Sequence, residues 1–182
     1  MSLELSILYE YELKNTMKKI LRDDKYKYYF TGNYYDYNFT VPEDSWNNLQ
    51  MVSIKDGEII GLLGAFITRN TNSVSDLYFI NFKDINYTYS KDMRDFIVEL
   101  FEKYNFNKIN FRVVIGNPIE KMYDKYIEKY GGRIIGIRKD EVRLIDGKLY
   151  DDKLYEITKD EYLKSKEKLK WLNGIIRMDY HL

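Results

Sequence analysis

The chain has 182 residues, a length that suits one domain large enough to bury a proper core. Its 29 Lys and Arg balance its 29 Asp and Glu, so it lacks the net positive charge on which nucleic-acid binding usually relies. It contains no cysteine and a single histidine, His181, which argues against disulfides, thiolate nucleophiles, His-dependent triads and metal sites. Nothing resembles a signal peptide or a membrane span, so we expect a cytoplasmic protein that binds neither nucleic acid nor a membrane.

The first fifty residues predict a helix followed by an aromatic loop. Apolar residues at helical spacing predict an amphipathic helix from Leu5 to about Asp23. From Tyr26 to Thr40, tyrosines surround Gly32-Asn33. We interpret this segment as a loop, because the pattern weakens there into aromatic and polar residues. A surface that stacks nucleobases is the other interpretation of these tyrosines, and it fits poorly with zero net charge. Pro42-Glu43-Asp44 predicts the start of a short helix that leads to Trp46.

A hairpin and a central strand follow. Gln50 to Lys55 and Glu58 to Arg69 are apolar runs separated by Asp56-Gly57, the dipeptide that best fits a two-residue hairpin turn. Val74 to Phe82 is almost continuously apolar, which is typical of a strand that is covered on both faces. We therefore expect this strand at the centre of the sheet.

The next elements predict a crossover between parallel strands. An apolar stripe from Phe96 to Tyr104 predicts a helix with Ser90 as its N-cap and Asp92 in its first turn. Lys108 to Ile115 then alternates as a strand does. A strand, a helix and a strand in this order imply a right-handed crossover, so the strand at Val74 to Phe82 should run parallel beside it.

The stretch that begins at Lys108 is the most informative part of the chain. Asn117-Pro118 ends the strand and opens a helix, Gly131-Gly132 stops that helix, and a strand resumes at Arg133. This order is a βαβ-type unit, and ligands in open α/β sheets gather beyond the carboxyl ends of the strands. The segment from Ile115 to Asn117 therefore lies where we expect the chemistry.

The remaining residues predict a closing hairpin around Asp146-Gly147 and a last helix that begins at Asp160. We divide the chain into one domain at residues 1–162 and a helical tail at 163–182. The domain has a helical and aromatic part at 1–49 and a sheet core at 50–162. The tail carries apolar residues that need a partner surface, on the same domain or on a second copy in a homodimer: Trp171, Leu172, Ile175 and Ile176.

From about Gln50 to Tyr162, this order of elements resembles the GNAT superfamily of acyl-CoA-dependent N-acetyltransferases. Asn117-Pro118, the tyrosine-bearing helix and Gly131-Gly132 strengthen the resemblance, which covers roughly two thirds of the chain. Within this stretch, the last part looks like the ribosomal-protein alanine N-acetyltransferase branch, in Arg143 to Asp151, Tyr155-Glu156-Ile157 and Glu161-Tyr162. The resemblance implies an α/β fold, with a mixed, centrally splayed β-sheet flanked by helices.

The same resemblance implies that acetyl-CoA is the cosubstrate and that a primary amine is the acceptor, on a peptide N-terminus or a small molecule. The pantetheine arm would lie between two splayed strands, residues 77–82 and 109–115. The pyrophosphate would sit at the N-terminus of the following helix, where orphan N–H groups favour anions. The implied cofactor-binding residues are Phe79, Ile80, Phe82, Tyr89, Ser90, Lys91 and Asn117.

The chemistry that the resemblance implies is direct attack of a neutral amine on a thioester, which needs a base and a proton donor. Tyr126 and Tyr123, on the helix after Asn117, compete as the proton donor, and Tyr126 is the first choice because it lies ahead of the helix end. Packing of a tyrosine edge is the alternative role. The base, acting directly or through water, is Asp76 at the start of the central strand or Asp84 near its end.

The sequence departs from the family pattern in the loop before the cofactor helix. Family members carry a glycine-rich loop that lets the backbone wrap around phosphate oxygens, whereas residues 84–94 (DINYTYSKDMR) contain no glycine. Two hypotheses follow. In the first, hydroxyl and cationic side chains of this segment replace the glycines and the protein is an acetyltransferase. In the second, it is a non-catalytic GNAT-like binding module that has weakened or lost acetyl-CoA binding.

Overall fold

The structure is a computed structural model that describes residues 3–31, 39–83 and 86–167. These residues form a seven-stranded sheet with the strand order β1-β2-β3-β4-β5-β7-β6. The strands are β1 (Leu3–Leu5), β2 (Asn48–Lys55), β3 (Glu58–Thr68), β4 (Ser73–Asn81), β5 (Lys108–Val114), β6 (Arg133–Arg143) and β7 (Leu149–Thr158). The helices are α1 (Glu10–Ile20), α2 (Tyr87–Glu102), α3 (Glu120–Tyr130) and α4 (159–167). The expected fold class, a mixed sheet flanked by helices, is confirmed.

Helix α1 covers one face of β2, β3 and β4. Met17 is buried there against Val52, Leu62 and Ile80, in the pattern that its helical spacing predicts. The predicted N-terminal helix is confirmed in its centre, but it begins later than expected. The short strand β1, which pairs with β2, and a 3-10 helix at Ser6–Tyr9 come first.

The helix predicted from Pro42 to Trp46 does not form. Asp44 Oδ1 accepts a hydrogen bond from Trp46 N at 2.8 Å, a local turn that competes with a helix. The Arg69 guanidinium lies 4.4 Å from the centre of the Trp46 ring and donates to two backbone carbonyls of this segment. The prediction is wrong because these contacts hold the segment in a bend.

Strands β2 and β3 form the predicted hairpin. Asp56 has φ 51° and Gly57 has φ 80°, the two positive values that a type I′ turn requires. Strand β4 pairs antiparallel with β3 and is the fourth of the seven strands in the sheet. The prediction of a hairpin followed by a central strand is confirmed.

Helix α2 covers the opposite face of the sheet. Phe96, Leu100 and Phe101 are fully buried there and belong to the same core cluster as Leu63 of β3. Tyr89 fastens the first turn of α2 to the sheet. Its ring occupies the space left by the missing side chain of Gly61, and its hydroxyl donates to the Leu62 carbonyl at 3.1 Å.

Strand β7 lies between β5 and β6 and is antiparallel to both. Strands β5 and β6 are therefore parallel to each other and joined through α3, which confirms the βαβ-type unit with one strand inserted. Gly131 and Gly132 end α3 with φ of 92° and 100°. Asp124 anchors α3 to β7, because it accepts hydrogen bonds from Lys153 Nζ and Tyr155 Oη at 2.8 Å each.

The predicted last helix is confirmed up to residue 167. Tyr162 of α4 stacks on Phe101 with 4.5 Å between the ring centres, and Glu102 accepts hydrogen bonds from Tyr162 and Lys166. Residues 168–182, with the apolar residues of the tail, lie outside the described residues, so the division into domain and tail stays a prediction. Within the described ranges, no helix has the length and apolarity needed to cross a membrane.

We expect Gly61→Ala to destabilise the protein, because the added methyl group would overlap the Tyr89 ring. Overpacking of this kind costs about 1–3 kcal/mol. Gly136→Ala is the matched control, since a methyl group added there, on the edge strand β6, meets nothing within 4 Å. Urea unfolding followed by circular dichroism measures both variants, and equal midpoints would contradict the proposed packing.

Candidate functional site

Strands β4 and β5 begin as neighbours and then separate. Their parallel ladder consists of two pairs, Ser73 with Lys108 and Val74 with Ile109. The register between β3 and β4 then shifts at Ser75, which forms a β-bulge. Beyond the bulge, Arg112 Nε donates to Asp76 Oδ2 at 2.8 Å, so side chains join the two strands where backbone bonds have ended. The predicted parallel pair is confirmed, and the splay begins at its third residue.

Peptide groups of β4 face the groove between the separated strands. Phe82 N donates a hydrogen bond to Ile60 O of β3, so every second residue of β4, counted back from Phe82 to the bulge, forms its backbone hydrogen bonds with β3. By antiparallel alternation, the N–H and C=O groups of Leu77 and Phe79 point the other way, toward β5. The Leu77 N–H already donates a hydrogen bond to Asp76 Oδ1 at 2.9 Å. The Phe79 peptide groups therefore line the groove.

Peptide groups of β5 form the opposite wall. Ile115 N donates a hydrogen bond to Asp151 O of β7, so every second residue of β5, counted back from Ile115, forms its backbone hydrogen bonds with β7. By the same alternation, the peptide groups of Arg112 and Val114 point toward β4. The Val114 carbonyl accepts from Asn117 N at 3.0 Å, which leaves the Val114 N–H directed into the groove. The two walls thus present the donors and acceptors that an extended ligand with amide groups would need.

A cavity of about 350 Å³ lies at this groove. On the face that α1 covers, it is lined by residues of α1 and of the 3-10 helix Asp24–Tyr29, which forms part of the predicted aromatic loop. Residues 32–38 of that loop lie outside the described residues. The charged lining residues are two carboxylates, Asp76 and Asp152, and one guanidinium, Arg112. The aromatic lining residues are Tyr28, Tyr29, Phe30, Phe39, Phe66, Tyr78, Phe79 and Tyr123.

Arg112 is the centre of a charged cluster in the cavity wall. Besides Asp76, it contacts Asp152, whose Oδ2 accepts from Arg112 Nη1 at 3.1 Å and from Arg138 Nη2 at 3.3 Å. The Asp152 side chain has 0% exposure. Burial raises the pKa of both Asp152 and Asp76, and Arg112 opposes the rise. Within the described part of the chain, Asp152 Oδ1 has no hydrogen-bond partner.

A second polar group surrounds Tyr78. Its hydroxyl donates to Asn48 Oδ1 at 2.8 Å and accepts from Gln50 Nε2 at 2.9 Å. Burial raises the pKa of Tyr78 to about 12, so the hydroxyl remains neutral at physiological pH. Gln50 is 4% exposed, and its Oε1 has no partner among the described residues. Buried acceptors without partners are uncommon, and they favour a ligand that carries hydrogen-bond donors.

Asn117 lies where β5 ends, as the sequence predicts. Gly116 has φ 97°, which turns the chain out of the strand. The Asn117 side chain lines the cavity, and its Oδ1 accepts from Ile119 N at 3.1 Å. Asn117 therefore ends β5 and leads into α3 at the mouth of the groove.

The two candidate proton donors lie in different environments. Tyr123 lines the cavity and meets Phe111 and Tyr155 edge-on, with ring centres 5.3 and 6.0 Å apart. Burial raises the pKa of Tyr123. Tyr126 is 40% exposed and does not line the cavity, because α3 packs on the sheet through Tyr123 and Ile127. Of the two candidates, Tyr123 is therefore the one that lies at the groove, and the role of proton donor stays a prediction.

The start of α2 differs from the prediction. Its N-cap is Asn86 and not Ser90, whose hydroxyl donates back to the Asn86 carbonyl inside the helix. Lys91 is paired with Asp95 at 3.0 Å, and the Tyr89 side chain is buried in the core. The three side chains that we expected at the pyrophosphate, those of Tyr89, Ser90 and Lys91, are therefore all engaged elsewhere.

The other predicted site residues lie near the groove. Phe79 and Ile80 line the cavity, and so does Asp76, one of the two candidate bases. The other candidate, Asp84, lies outside the described residues. Phe82 packs in the core under α1, and its carbonyl accepts from the Tyr26 hydroxyl at 3.2 Å. The groove thus brings together Phe79, Ile80, Asp76, Tyr123 and Asn117 and leaves Phe82 outside.

Sequence reasoning missed the polar residues that form the two hydrogen-bonded groups in the cavity wall, among them Gln50, Tyr78, Arg112 and Asp152. Arg112 gave a usable signal, because a charged residue inside a central strand needs a buried partner. Its partner Asp152 lies 40 residues away in the chain and meets it only because β7 inserts beside β5. The sequence alone offers no rule that pairs these two residues.

Solved structures of similar shape are acetyltransferases. A probable acetyltransferase is 18% identical, with 64% of each chain covered and a TM-score of 0.53. A putative acetyltransferase from T. thermophilus is 20% identical over 69% of this chain and 66% of that one, with a TM-score of 0.54. The spermidine/spermine N-acetyltransferase SpeG from Vibrio cholerae is 21% identical over 66% and 70%, with a TM-score of 0.55. The fold is that of the GNAT acetyltransferases.

The match spans less than two thirds of the probable acetyltransferase, at 64% of its length, and the same share of a further putative acetyltransferase. No protein-family model matches the sequence, and no curated protein is significantly similar to it. The likeness to GNAT structures therefore establishes the fold, and the activity has to be argued from the groove and the cavity.

We expect Arg112→Gln to destabilise the protein at neutral pH, because it removes one of the two cations that contact buried Asp152. A buried charge without its partner costs about 3–5 kcal/mol, and the remaining Arg138 reduces the expected loss to roughly 2 kcal/mol. The raised pKa of Asp152 means that the folded state takes up a proton at higher pH than the unfolded state. The loss should therefore shrink as the pH falls toward the ordinary carboxylate pKa of about 4.

Arg94→Gln serves as the control, because Arg94 is an exposed residue whose pair with Asp95 contributes less than about 1 kcal/mol. Urea titrations at neutral and acidic pH measure both variants. A loss in Arg112→Gln that does not change with pH would contradict the role of a buried carboxylate.

Proposed function

We propose that the protein transfers an acetyl group from acetyl-CoA to a primary amine. The observation that carries the proposal is the groove between β4 and β5, where peptide groups of Phe79 and Val114 face each other beyond the last ladder pair. A pantetheine arm bears amide groups that fit such walls as a missing strand would. The GNAT fold, shared with acetyltransferases, supports the same function.

The residues at the groove fit the pantetheine arm and the reacting end of the donor. Phe79 and Val114 would hold the arm through their peptide groups, and Asn117 lies at the mouth of the groove. Bound acetyl-CoA supplies an activated thioester, so that a C–N bond forms as the C–S bond breaks. One proton must leave the amine and one must reach the sulfur, which assigns the acid-base work to residues of this chain.

Tyr123 is the proton donor in this proposal. Burial raises the pKa of its hydroxyl, which therefore keeps its proton throughout the physiological range. Asp76 is the proton acceptor, directly or through water. Arg112 and the Leu77 N–H fix the position of its carboxylate, and burial raises its pKa toward the range in which a carboxylate exchanges protons.

The acceptor in this proposal is a small primary amine with an apolar body. The cavity is near the lower end of the range for small-molecule sites, about 300–1,000 Å³. Its aromatic wall and its two buried acceptors without a partner among the described residues, Gln50 Oε1 and Asp152 Oδ1, favour an ammonium ion with apolar substituents. The amine chemistry named for SpeG supports this class. A peptide N-terminus, as the alanine N-acetyltransferase resemblance implies, is the alternative acceptor.

A non-catalytic GNAT-like binding module is the second candidate function. The capped start of α2, with Asn86 bonded to Thr88 N, favours it because this helix end has lost part of its capacity for phosphate. Calorimetry with acetyl-CoA and with desulfo-CoA separates the two candidates. Micromolar binding supports the transferase, and an absence of binding at millimolar acetyl-CoA supports the module.

We expect Tyr123→Phe to lower amine-dependent release of free CoA by about 100-fold, since general acid catalysis contributes at least that much. Its affinity for acetyl-CoA should not change, because the ring and its packing remain. Tyr126→Phe is the matched control on the same helix, and it should retain full turnover because Tyr126 lies outside the cavity.

A thiol-release assay measures both variants, with small apolar amines and an alanyl peptide as alternative acceptors. Full turnover in Tyr123→Phe would remove the proposed proton donor. If the peptide is acetylated and the small amines are not, the proposed acceptor class is contradicted.

A further inference from the structure

The start of α2 is where an anionic pyrophosphate would be expected, because the first four N–H groups of a helix have no partner within it. In α2, whose N-cap is Asn86, these groups belong to Asn86, Tyr87, Thr88 and Tyr89. Asn86 Oδ1 accepts from Thr88 N at 3.0 Å, and the Asn86 carbonyl accepts from Ser90 N at 3.1 Å. The bond from Ser90 N is the first regular bond of the helix, and the bond from Thr88 N means that one of the four groups is already capped by a side chain.

Tyrosine side chains restrict access to two of the remaining groups, the N–H groups of Tyr87 and Tyr89. Tyr89 is locked against the sheet by its contact with Gly61 and by its hydrogen bond to Leu62 O, so the first turn of α2 has little freedom to adjust around a ligand. Tyr87 is 82% exposed and carries its bulk at the first helical position. Close approach of a phosphate to backbone N–H groups is easiest at glycine, which is absent from residues 84–94.

The nearby cations are paired with carboxylates. Lys83 contacts Glu58 at 3.1 Å, Lys91 contacts Asp95 at 3.0 Å, and Arg94 contacts the same Asp95 at 3.3 Å. Each pair is individually weak, but a pyrophosphate would have to replace a carboxylate that also repels it. The start of α2 therefore does not fit the pyrophosphate, whereas the groove between β4 and β5 fits the pantetheine arm.

We propose that the protein recognises its donor through the acylated pantetheine arm, and that the adenosine diphosphate part of CoA adds little affinity. The donor class is then an acetyl-pantetheine thioester, with or without the nucleotide. The proposal rests on the proposed function, because it requires that the groove takes the arm.

Calorimetry with acetyl-CoA, S-acetyl-4′-phosphopantetheine and 3′,5′-ADP tests the proposal on the whole chain. We expect the two thioesters to bind with affinities within about tenfold of each other and 3′,5′-ADP not to bind at millimolar concentration. A preference of more than tenfold for acetyl-CoA, or binding of 3′,5′-ADP, would overturn the proposal and leave the proposed function intact. Binding of neither thioester would overturn both.

Lys91→Ala provides a second measurement, because Lys91 is nearer the start of α2 than Arg94, the next cation of this helix. Under the proposal, its affinity for acetyl-CoA stays within about threefold of the unaltered protein, as expected for a solvent-exposed pair. A larger loss, with the affinity for S-acetyl-4′-phosphopantetheine unchanged, would show that the nucleotide part is bound at α2 and would overturn the proposal.

Discussion

The separation of β4 from β5 after Val74 and Ile109 is the constraint on which the site depends. At the centre of a sheet, peptide groups without partners cost about 1–3 kcal/mol each, so a gap there is unfavourable unless something compensates it. The bulge at Ser75 diverts β4, and the bond from Arg112 to Asp76 bridges the strands where backbone pairing ends. A ligand with its own amide groups would satisfy the remaining peptide groups.

The gap also connects the two faces of the sheet. The cavity is lined by Met17 and Leu21 from the side of α1 and by Ile119 and Tyr123 from the side of α3. A donor in the groove and an acceptor that enters from the α1 side can therefore meet at the same place. The charged cluster around Arg112 lies in this wall, so the residues that bridge the separated strands also set the electrostatics of the cavity.

Local signals in the sequence predicted the elements well. Asp56-Gly57 specifies a hairpin by turn geometry alone, and Gly131-Gly132 ends α3 by the same kind of local rule. The run from Val74 to Phe82 identified the central strand because burial on both faces excludes polar alternation. Such rules fail where two local choices compete, as at Asp44, whose side chain bonds within a turn and prevents the expected helix.

The candidate site was less predictable because its contacts are long-range. The choice between Tyr123 and Tyr126 depends on the rotation of α3 against the sheet, which Asp124 fixes through residues of β7. The pairing of Arg112 with Asp152 depends on the insertion of β7 between β5 and β6. The sequence did show the absence of glycine before α2, and the structure adds that Asn86 caps this helix and that the Tyr89 side chain is fixed against the sheet.

Residue-resolved amide hydrogen exchange, measured by NMR with and without acetyl-CoA, tests the central claim most directly. If the groove binds the donor, the amides of Phe79 and Val114 gain protection, because their N–H groups point into the gap. The amides of Ile80 and Val113 already belong to the ladders with β3 and β7 and should not change. Unchanged exchange at Phe79 and Val114 in the presence of saturating acetyl-CoA would contradict the account.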